Sequence, residues 1–262
     1  MRSVLVIGMG PGDPEQITVQ AIRALNRAEV VFVVEKGSGA GELAEARREM
    51  LGRYVDNGHL PRVVALPDPA RDRTASAYRE AVGDWRRRRA QQWETAILSE
   101  LDEDGCGAFL AWGDPALYDS AIAVLDEISS RGRTHLEYEV IPGISSLQAL
   151  AARHRVPWTR VGGAVQITTG RRLARGLPAE ADDVLVMLDS GCAFSRFAGD
   201  EDLEIYWGAY VGTEDEILVS GRVGEVAREI ERLRAEARER KGWVMDSYLL
   251  RRASTKSPPP PS

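Results

Sequence analysis

Cysteine and histidine are scarce in this chain: of 262 residues, only Cys106, Cys192, His59, His135 and His154 are of these types. No group among them has the spacing of a metal-ligand set, so no metal site is expected. Long apolar runs are missing too, and no stretch approaches the length of a membrane span. The N-terminus enters an apolar run directly, without the charged, apolar and cleavage regions of a signal peptide, which makes the cytoplasm the expected location. Basic excess is also absent. A formal net charge of -6 and a pI near 5.3 provide no overall field for a nucleic-acid backbone, so any anionic partner must meet a local basic patch.

What remains is an ordinary soluble composition, 44% hydrophobic and 28% charged, long enough for two compact halves. The most informative segment is Val4-Leu-Val-Ile-Gly-Met-Gly-Pro-Gly-Asp-Pro-Glu15, an apolar run that empties into a loop with three glycines and two prolines. Gly8, Gly10 and Gly12 let backbone turn sharply or approach a ligand closely. A dinucleotide fingerprint would run straight into a helix with a third glycine where Asp13 stands. Pro11 and Pro14 also remove two backbone donors, and Asp13 and Glu15 would repel phosphate. A ligand without phosphate fits better, with a plain strand-to-helix turn as the bland alternative.

Ser3 to Ile7 reads as a buried strand, Thr18 as an N-cap, and Ala21, Ala24, Leu25 and Ala28 as a helix face before a second apolar run at Val30 to Val34. Strand, helix and strand in succession predict a parallel sheet covered on both faces, with the glycine loop at its carboxyl edge. Glu42 to Tyr54 reads as helix, Val63 to Leu66 as strand, and Ala75 to Asp102 as a charged helix whose run Arg86-Arg-Arg-Arg89 is expected to face water. Ala108 to Trp112 and Tyr138 to Ile141 are further strands, broken by Gly113-Asp-Pro115 and Pro142-Gly-Ile-Ser-Ser146. Tyr118, Ala121, Ile122, Leu125 and Ile128 mark a helix face between them. Asp114 could cap that helix, and Ser145 or Ser146 the one that follows.

The last third has short strand-like runs at Ala164 to Ile167, Val184 to Leu188, Ile205 to Tyr210 and Glu216 to Val219, which predict a second, mixed sheet. Val223, Val226, Ala227, Ile230, Leu233 and Ala237 form a helical stripe expected to pack in a core, with Arg228, Glu229, Glu231 and Arg232 in water. Trp243 to Leu250 could return as a final strand. The expected division is an N-terminal α/β domain over 1–115, a C-terminal α/β domain over 116–252 and a disordered Pro-rich tail over 253–262. A ligand cleft between the domains would follow.

Three motifs, Val6-Ile-Gly-Met-Gly-Pro-Gly-Asp-Pro14, Trp112-Gly-Asp-Pro115 and Val140-Ile-Pro-Gly-Ile-Ser-Ser146, stand in the order and with the separations of the tetrapyrrole methylases, and the chain resembles that family. The resemblance implies two α/β domains with S-adenosyl-L-methionine between them, a homodimer, and an anionic tetrapyrrole as substrate. By motif it puts Pro11 near the methyl donor, and Trp112, Gly113, Asp114 and Leu117 along the cofactor. Ser145 and Ser146 match the pair after the family's Pro-Gly-Ile. Leu188 falls where many relatives have a cofactor-contacting methionine, and Gly212 matches a late backbone contact. Each also has a bland reading as turn, cap or core. Within the family, Tyr78-Arg-Glu-Ala-Val-Gly-Asp-Trp85, its Arg-rich continuation and the variant Trp112-Gly-Asp-Pro-Ala-Leu-Tyr-Asp119 resemble members that methylate a precorrin at C-1 and release acetate.

Uroporphyrinogen methylases carry an aspartate-arginine pair just after the second strand. Here that place reads Val33-Val-Glu-Lys-Gly37, so the pair is absent, and Glu35 becomes the candidate proton acceptor or a simple strand-end carboxylate. Substrate carboxylates would need local arginines, with candidates among Arg86 to Arg89, Arg153, Arg155, Arg160, Arg171 and Arg172. Another precorrin methylase, a diphthine synthase-like methylase and a non-catalytic member remain open within the family. From a different class, a nicotinamide or flavin oxidoreductase would use the first glycine loop and place Glu35 on a ribose; Pro11, Pro14 and the missing last glycine disfavour it.

Overall fold

The computed structural model describes residues 1–35, 40–56, 58, 60–70 and 78–252. The chain divides into two compact units, Met1–Ser145 and Ser146–Ser262. The first alternates strand and helix: β1 (Arg2–Gly8), α1 (Val19–Leu25), β2 (Val30–Glu35), α2 (Ala40–Tyr54), β3 (Arg62–Pro67), α3 (Tyr78–Glu100), β4 (Cys106–Ala111), α4 (Ala121–Ser130) and β5 (Leu136–Ile141).

Its strands form one parallel sheet in the order β3-β2-β4-β1-β5. Right-handed crossovers make the direction of travel decide which face each helix covers. From β1 to β3 the chain moves one way and lays α1 and α2 on one face; it returns through α3 and α4 on the other. Ala21, Leu25, Met50 and Leu51 accordingly pack with Leu5, Ile7 and Leu110, whereas Trp93, Ile97, Val124 and Leu125 pack with Val4, Val6 and Phe109. Burial on both sides is why Val4 to Ile7 is apolar without alternation. Thr18 caps α1 as expected, its Oγ1 accepting from the Ala21 N–H at 3.0 Å.

The second unit contains α5 (Ser146–His154), β6 (Val165–Thr169), the short α6 (Gly170–Leu173), β7 (Asp183–Met187), β8 (Leu203–Ala209), β9 (Ile217–Arg222), α7 (Val223–Lys241) and β10 (Asp246–Arg252). Its sheet runs β6-β7-β10-β8-β9, with β6 and β7 parallel and the other pairs antiparallel. The expected mixed sheet is there. On α7 the residues Val223, Ala227, Ile230 and Ala237 are buried at helical spacing against Trp207, Tyr248 and Ile205. Each large side chain so buried contributes about 1.5–3 kcal/mol. Arg228, Glu229, Glu231 and Arg232 face water, and Gly242, at φ 76°, ends the helix by donating its N–H to the Arg238 carbonyl.

Three expectations shift. The boundary lies at Ser145 rather than Pro115, because α4 packs on the first sheet and β5 pairs with β1. β5 is the edge strand of that sheet, and its burial alternates along Leu136–Ile141. Tyr118 belongs to no helix face: it precedes α4, 48% exposed, at φ 55°, and Val124 fills the core instead. Asp114 caps no helix, since α4 starts after Ser120 and its first residue, Ala121, donates its N–H to Asp119 Oδ1 at 2.6 Å. The start of the charged helix at Ala75 and the tail over 253–262 lie outside the described residues. Among the described residues no helix is long and apolar enough to cross a membrane.

Candidate active site

At the carboxyl edge of the first sheet, three loops rest on one another backbone against backbone. A Cβ on Gly143 would stand 2.2 Å from the Gly113 oxygen and 2.9 Å from Gly8, and one on Gly8 would stand 2.5 Å from the Gly143 nitrogen. Glycine is required at Gly8 and Gly143 for this loop-on-loop packing. Gly10 and Gly113, at φ 85° and 71°, exchange N–H to carbonyl bonds of 3.3 and 2.8 Å. Asp114 ties the edge together: one carboxylate oxygen accepts from Ala116 N–H at 2.8 Å and the other from Gly143 N–H at 3.0 Å. Both its oxygens are therefore engaged with the chain itself. Pro11 and Ser145 are buried, Trp112 and Leu117 half-buried, and the Ser145 Cα is 3.7 Å from the Gly113 Cβ position. Pro11, Trp112, Gly113, Asp114, Leu117 and Ser145 thus share one edge.

In the second unit, Ser146 Oγ and Ser247 Oγ are 3.0 Å apart, and Ser247 pairs across the sheet with Met187, the residue before Leu188. Leu188 leaves β7 at φ 54° with its side chain 63% exposed. Gly212, at φ 85°, donates its N–H to Glu216 at 2.9 Å. β7 and β8 are both antiparallel to β10, so their carboxyl ends, which carry Leu188 and Gly212, lie on the same edge.

Behind Leu188 is a buried polar array that no motif announces. Asp189, 4% exposed, accepts from Gly191 N–H at 3.0 Å, Ala193 N–H at 2.7 Å and the Tyr248 hydroxyl at 2.6 Å. Its carbonyl accepts from Arg234 Nη2 at 2.7 Å, and Arg234 Nε donates to Asp246 at 3.0 Å. Asp246 also accepts from the Trp207 indole at 3.0 Å. Burial raises the Asp246 carboxyl above its ordinary value, with Arg234 opposing. Burial, then Asp189, pushes the Tyr248 phenol up, so it stays a donor. Burial likewise pushes the neighbouring Cys192 thiol up to about 11, which makes it a poor nucleophile. One signal was available in the sequence: Arg234 occupies the slot between Ile230 and Ala237 on the apolar stripe of α7.

A second buried charge lies in the first unit. Arg89, expected in water with its neighbours, is 2% exposed, with its guanidinium 4.6 Å from the Trp85 ring and 5.2 Å from that of Trp93. Its Nε is 3.2 Å from Asp68 Oδ1, yet neither atom makes a hydrogen bond, so this is an ion pair out of hydrogen-bond alignment. Arg89 Nη1 donates to Ser120 Oγ. Burial lowers the guanidinium's affinity for its proton, opposed by Asp68 and Asp119. Arg47 on α2, not singled out in the sequence, is lowered by burial in the same way and opposed by Asp119.

The remaining candidates for carboxylate binding are mostly committed or exposed. Arg153 pairs with Glu216 and Arg160 with Asp183, Arg87 pairs with Asp84, Arg88 donates to the Ala70 carbonyl, and Arg155, Arg171 and Arg172 are exposed. Arg86 is half-buried, its Nε without a hydrogen bond. Glu35 ends β2 opposite Pro67; its side chain lies outside the described residues.

His154, at the end of α5, donates from Nε2 to the Trp207 carbonyl at 3.0 Å and stands edge-on to Tyr206. Burial lowers its pKa from 6.5, with the Trp207 bond and Glu216 opposing. Because the folded chain takes up this proton less readily than the unfolded chain, the contribution to stability is complete above pH 6.5 and is lost as pH falls toward the lowered folded value. Urea unfolding between pH 7.5 and 5 is expected to show that decline, and His154→Gln to flatten its His154 component.

The model of the Tetrapyrrole (Corrin/Porphyrin) Methylases matches residues 3–227. The chain is 49% identical over 254 residues to precorrin-6A synthase (deacetylating) of Sinorhizobium sp, with 97% of each chain covered. To precorrin-2 C(20)-methyltransferase of Sinorhizobium sp it is 29% identical over 182 residues, covering 64% of this chain and 67% of that one. Among solved structures, a cobalamin synthesis related protein of Corynebacterium diphtheriae matches with a TM-score of 0.83 and 33% identity, over 97% of this chain and 100% of that one. Uroporphyrin-III C-methyl transferase of Thermus thermophilus, complexed with S-adenosyl homocysteine, shares the fold at a TM-score of 0.53 and 21% identity, over 95% and 97% of the two chains. With the family model spanning most of its length and a relative of nearly half its residues matched end to end, the chain belongs to the tetrapyrrole methylases, a family of S-adenosylmethionine-dependent methyltransferases.

Proposed function

We propose that the chain methylates C-1 of precorrin-5 and releases the acetyl group as acetate, giving precorrin-6A. The observation that carries this reading is the 49% identity to precorrin-6A synthase over 97% of both chains. When bound, S-adenosylmethionine supplies an electrophilic methyl on a cationic sulfur, so no metal and no enzyme nucleophile is required. Each edge, taken by itself, offers surface of the kind such a ligand needs. Half-buried Trp112 and Leu117 offer apolar surface on the first, exposed Leu188 on the second, and the glycine loops bring bare backbone to the first.

The residues that would hold the cofactor are Pro11, Trp112, Gly113, Leu117 and Ser145 on the first unit, and Ser146, Leu188 and Gly212 on the second. Asp114, with both oxygens on backbone donors, serves by fixing the loops. The chain's own work is to align the reacting carbon with the methyl, which can lower a barrier by roughly 7–11 kcal/mol in favourable cases. Glu35 would take up the proton at its carboxylate as the macrocycle carbon reacts. Loss of acetate also consumes one water: its hydroxyl joins the acetyl carbon, its remaining proton is the one that Glu35 takes up, and the electrons of the broken carbon–carbon bond stay with the macrocycle carbon, which uses them to bond the methyl as the methyl's bond to sulfur breaks. A homodimer belongs to the same reading through the family resemblance.

Incubation with precorrin-5 and methyl-labelled S-adenosylmethionine tests it. One label and one acetate per turnover are expected; label without acetate would refute the deacetylating assignment and leave the methyltransferase.

A further inference from the structure

The conformation of Leu188 and the array behind it carry a separate consequence. A leucine at φ 54° is held against its own sterics, since residues other than glycine adopt the left-handed region at a cost of about 1–2 kcal/mol. Such strain persists only where the surroundings enforce it. The strain earns no burial, because the side chain is 63% exposed. Everything around the next residue is over-determined instead. The Asp189 carboxylate accepts three hydrogen bonds and its carbonyl a fourth, from an arginine fixed in turn by Asp246. Gly170 closes on it from behind, where a Cβ would lie 2.3 Å from Asp189 Cγ. Cys192, at φ 51°, gives the same turn a second left-handed residue.

Ending a strand requires none of this, and buried ionic arrays can be replaced by apolar packing at no loss of stability. We infer that Asp189, Arg234, Asp246 and Tyr248 are positioning residues, which hold the turn after β7 so that the Leu188 side chain stands outward at a fixed place to meet the methyl donor. The inference rests on the reading of Leu188 as a cofactor contact.

The test uses S-adenosylhomocysteine as probe, with Kd measured by calorimetry in a two-by-two set. Tyr248→Phe removes one donor from Asp189 while leaving the ring that meets Phe194 edge-on. It is expected to weaken binding about 10-fold, the scale of a bond to a charged group. In a Leu188→Ala background, which is itself weakened, Tyr248→Phe is expected to change Kd less than 2-fold, because the array acts through that side chain. Asp246→Asn, which keeps an oxygen for the Trp207 indole, should repeat the pattern if Tyr248→Phe fails to fold. Equal losses in both backgrounds, or none in either, would overturn the inference: the array would then be structural only. Normal binding by Leu188→Ala would remove the contact on which it rests. No binding by the unaltered chain would instead strike the methyltransferase reading itself.

Discussion

Gly143→Ala is expected to destabilise the first unit by about 3 kcal/mol or more, at the upper end of what overpacking costs. The added methyl would meet the Gly113 oxygen at 2.2 Å and the Gly8 carbonyl carbon and Cα at 2.9 Å. All three are backbone atoms, so no side chain can swing aside. The loops must separate, and the Gly143 N–H bond to Asp114 goes with them. Gly52→Ala is the internal control: Gly52 is exposed in α2 with nothing within 4 Å of a Cβ, and alanine there should stabilise by about 0.5–1 kcal/mol. Urea midpoints at unchanged m-value measure both. A Gly143→Ala protein within 1 kcal/mol of the parent would show that the three loops do not pack as described.

Arg89→Met is expected to cost about 3 kcal/mol, the lower end of the range for breaking a buried ion pair. Methionine approximates the volume but leaves Asp68, 18% exposed, without its cation, and takes the guanidinium away from Trp85 and Trp93. The loss comes chiefly from the stranded carboxylate, so adding Asp68→Asn should recover most of it. Arg89→Lys should rescue poorly, because an ammonium lacks the planar face that stacks on indole. Arg87→Ala, two residues away in an exposed pair with Asp84, should shift stability by less than about 0.5 kcal/mol. If Arg89→Met and Arg87→Ala behave alike, Arg89 is a surface residue and the burial described here is wrong.

The strands of the described residues were located within a few residues, because the central ones, such as β1, β4 and β7, are apolar runs buried in their sheets and the edge strands β5 and β9 alternate. The helical stripe of α7 was legible for the same reason. The division of the chain was not: Leu136–Ile141 alternates because it is a sheet edge, and alternation reads equally well as the start of a new, half-exposed sheet. Motif order brought together the loops at Gly8, Gly113 and Gly143, but it could not say that these glycines serve one another. Buried charge was the least visible feature. Arg89 sits inside a run of four arginines, and charge runs ordinarily line a solvated face; its two tryptophan neighbours, one turn either side, were the hint. Asp189 follows a strand as any turn residue would, and its partners Arg234, Asp246 and Tyr248 are far along the chain. Arg234 on the apolar stripe was the one hint, and tertiary pairing supplies the rest.

The position of β1 in the sheet has a bearing on how the chain is made. Residues 2–8 are flanked on both sides, by β4 from Cys106 onward and by β5 from Leu136 onward. β1 therefore has no partner in its sheet until about a hundred further residues have been synthesised, which at 5–20 residues per second takes roughly 5–20 s. For that interval its apolar run and free backbone groups are available to any passing strand. Slowing translation lengthens the exposure, and a chaperone that binds short apolar segments would find a target at Val4 to Ile7.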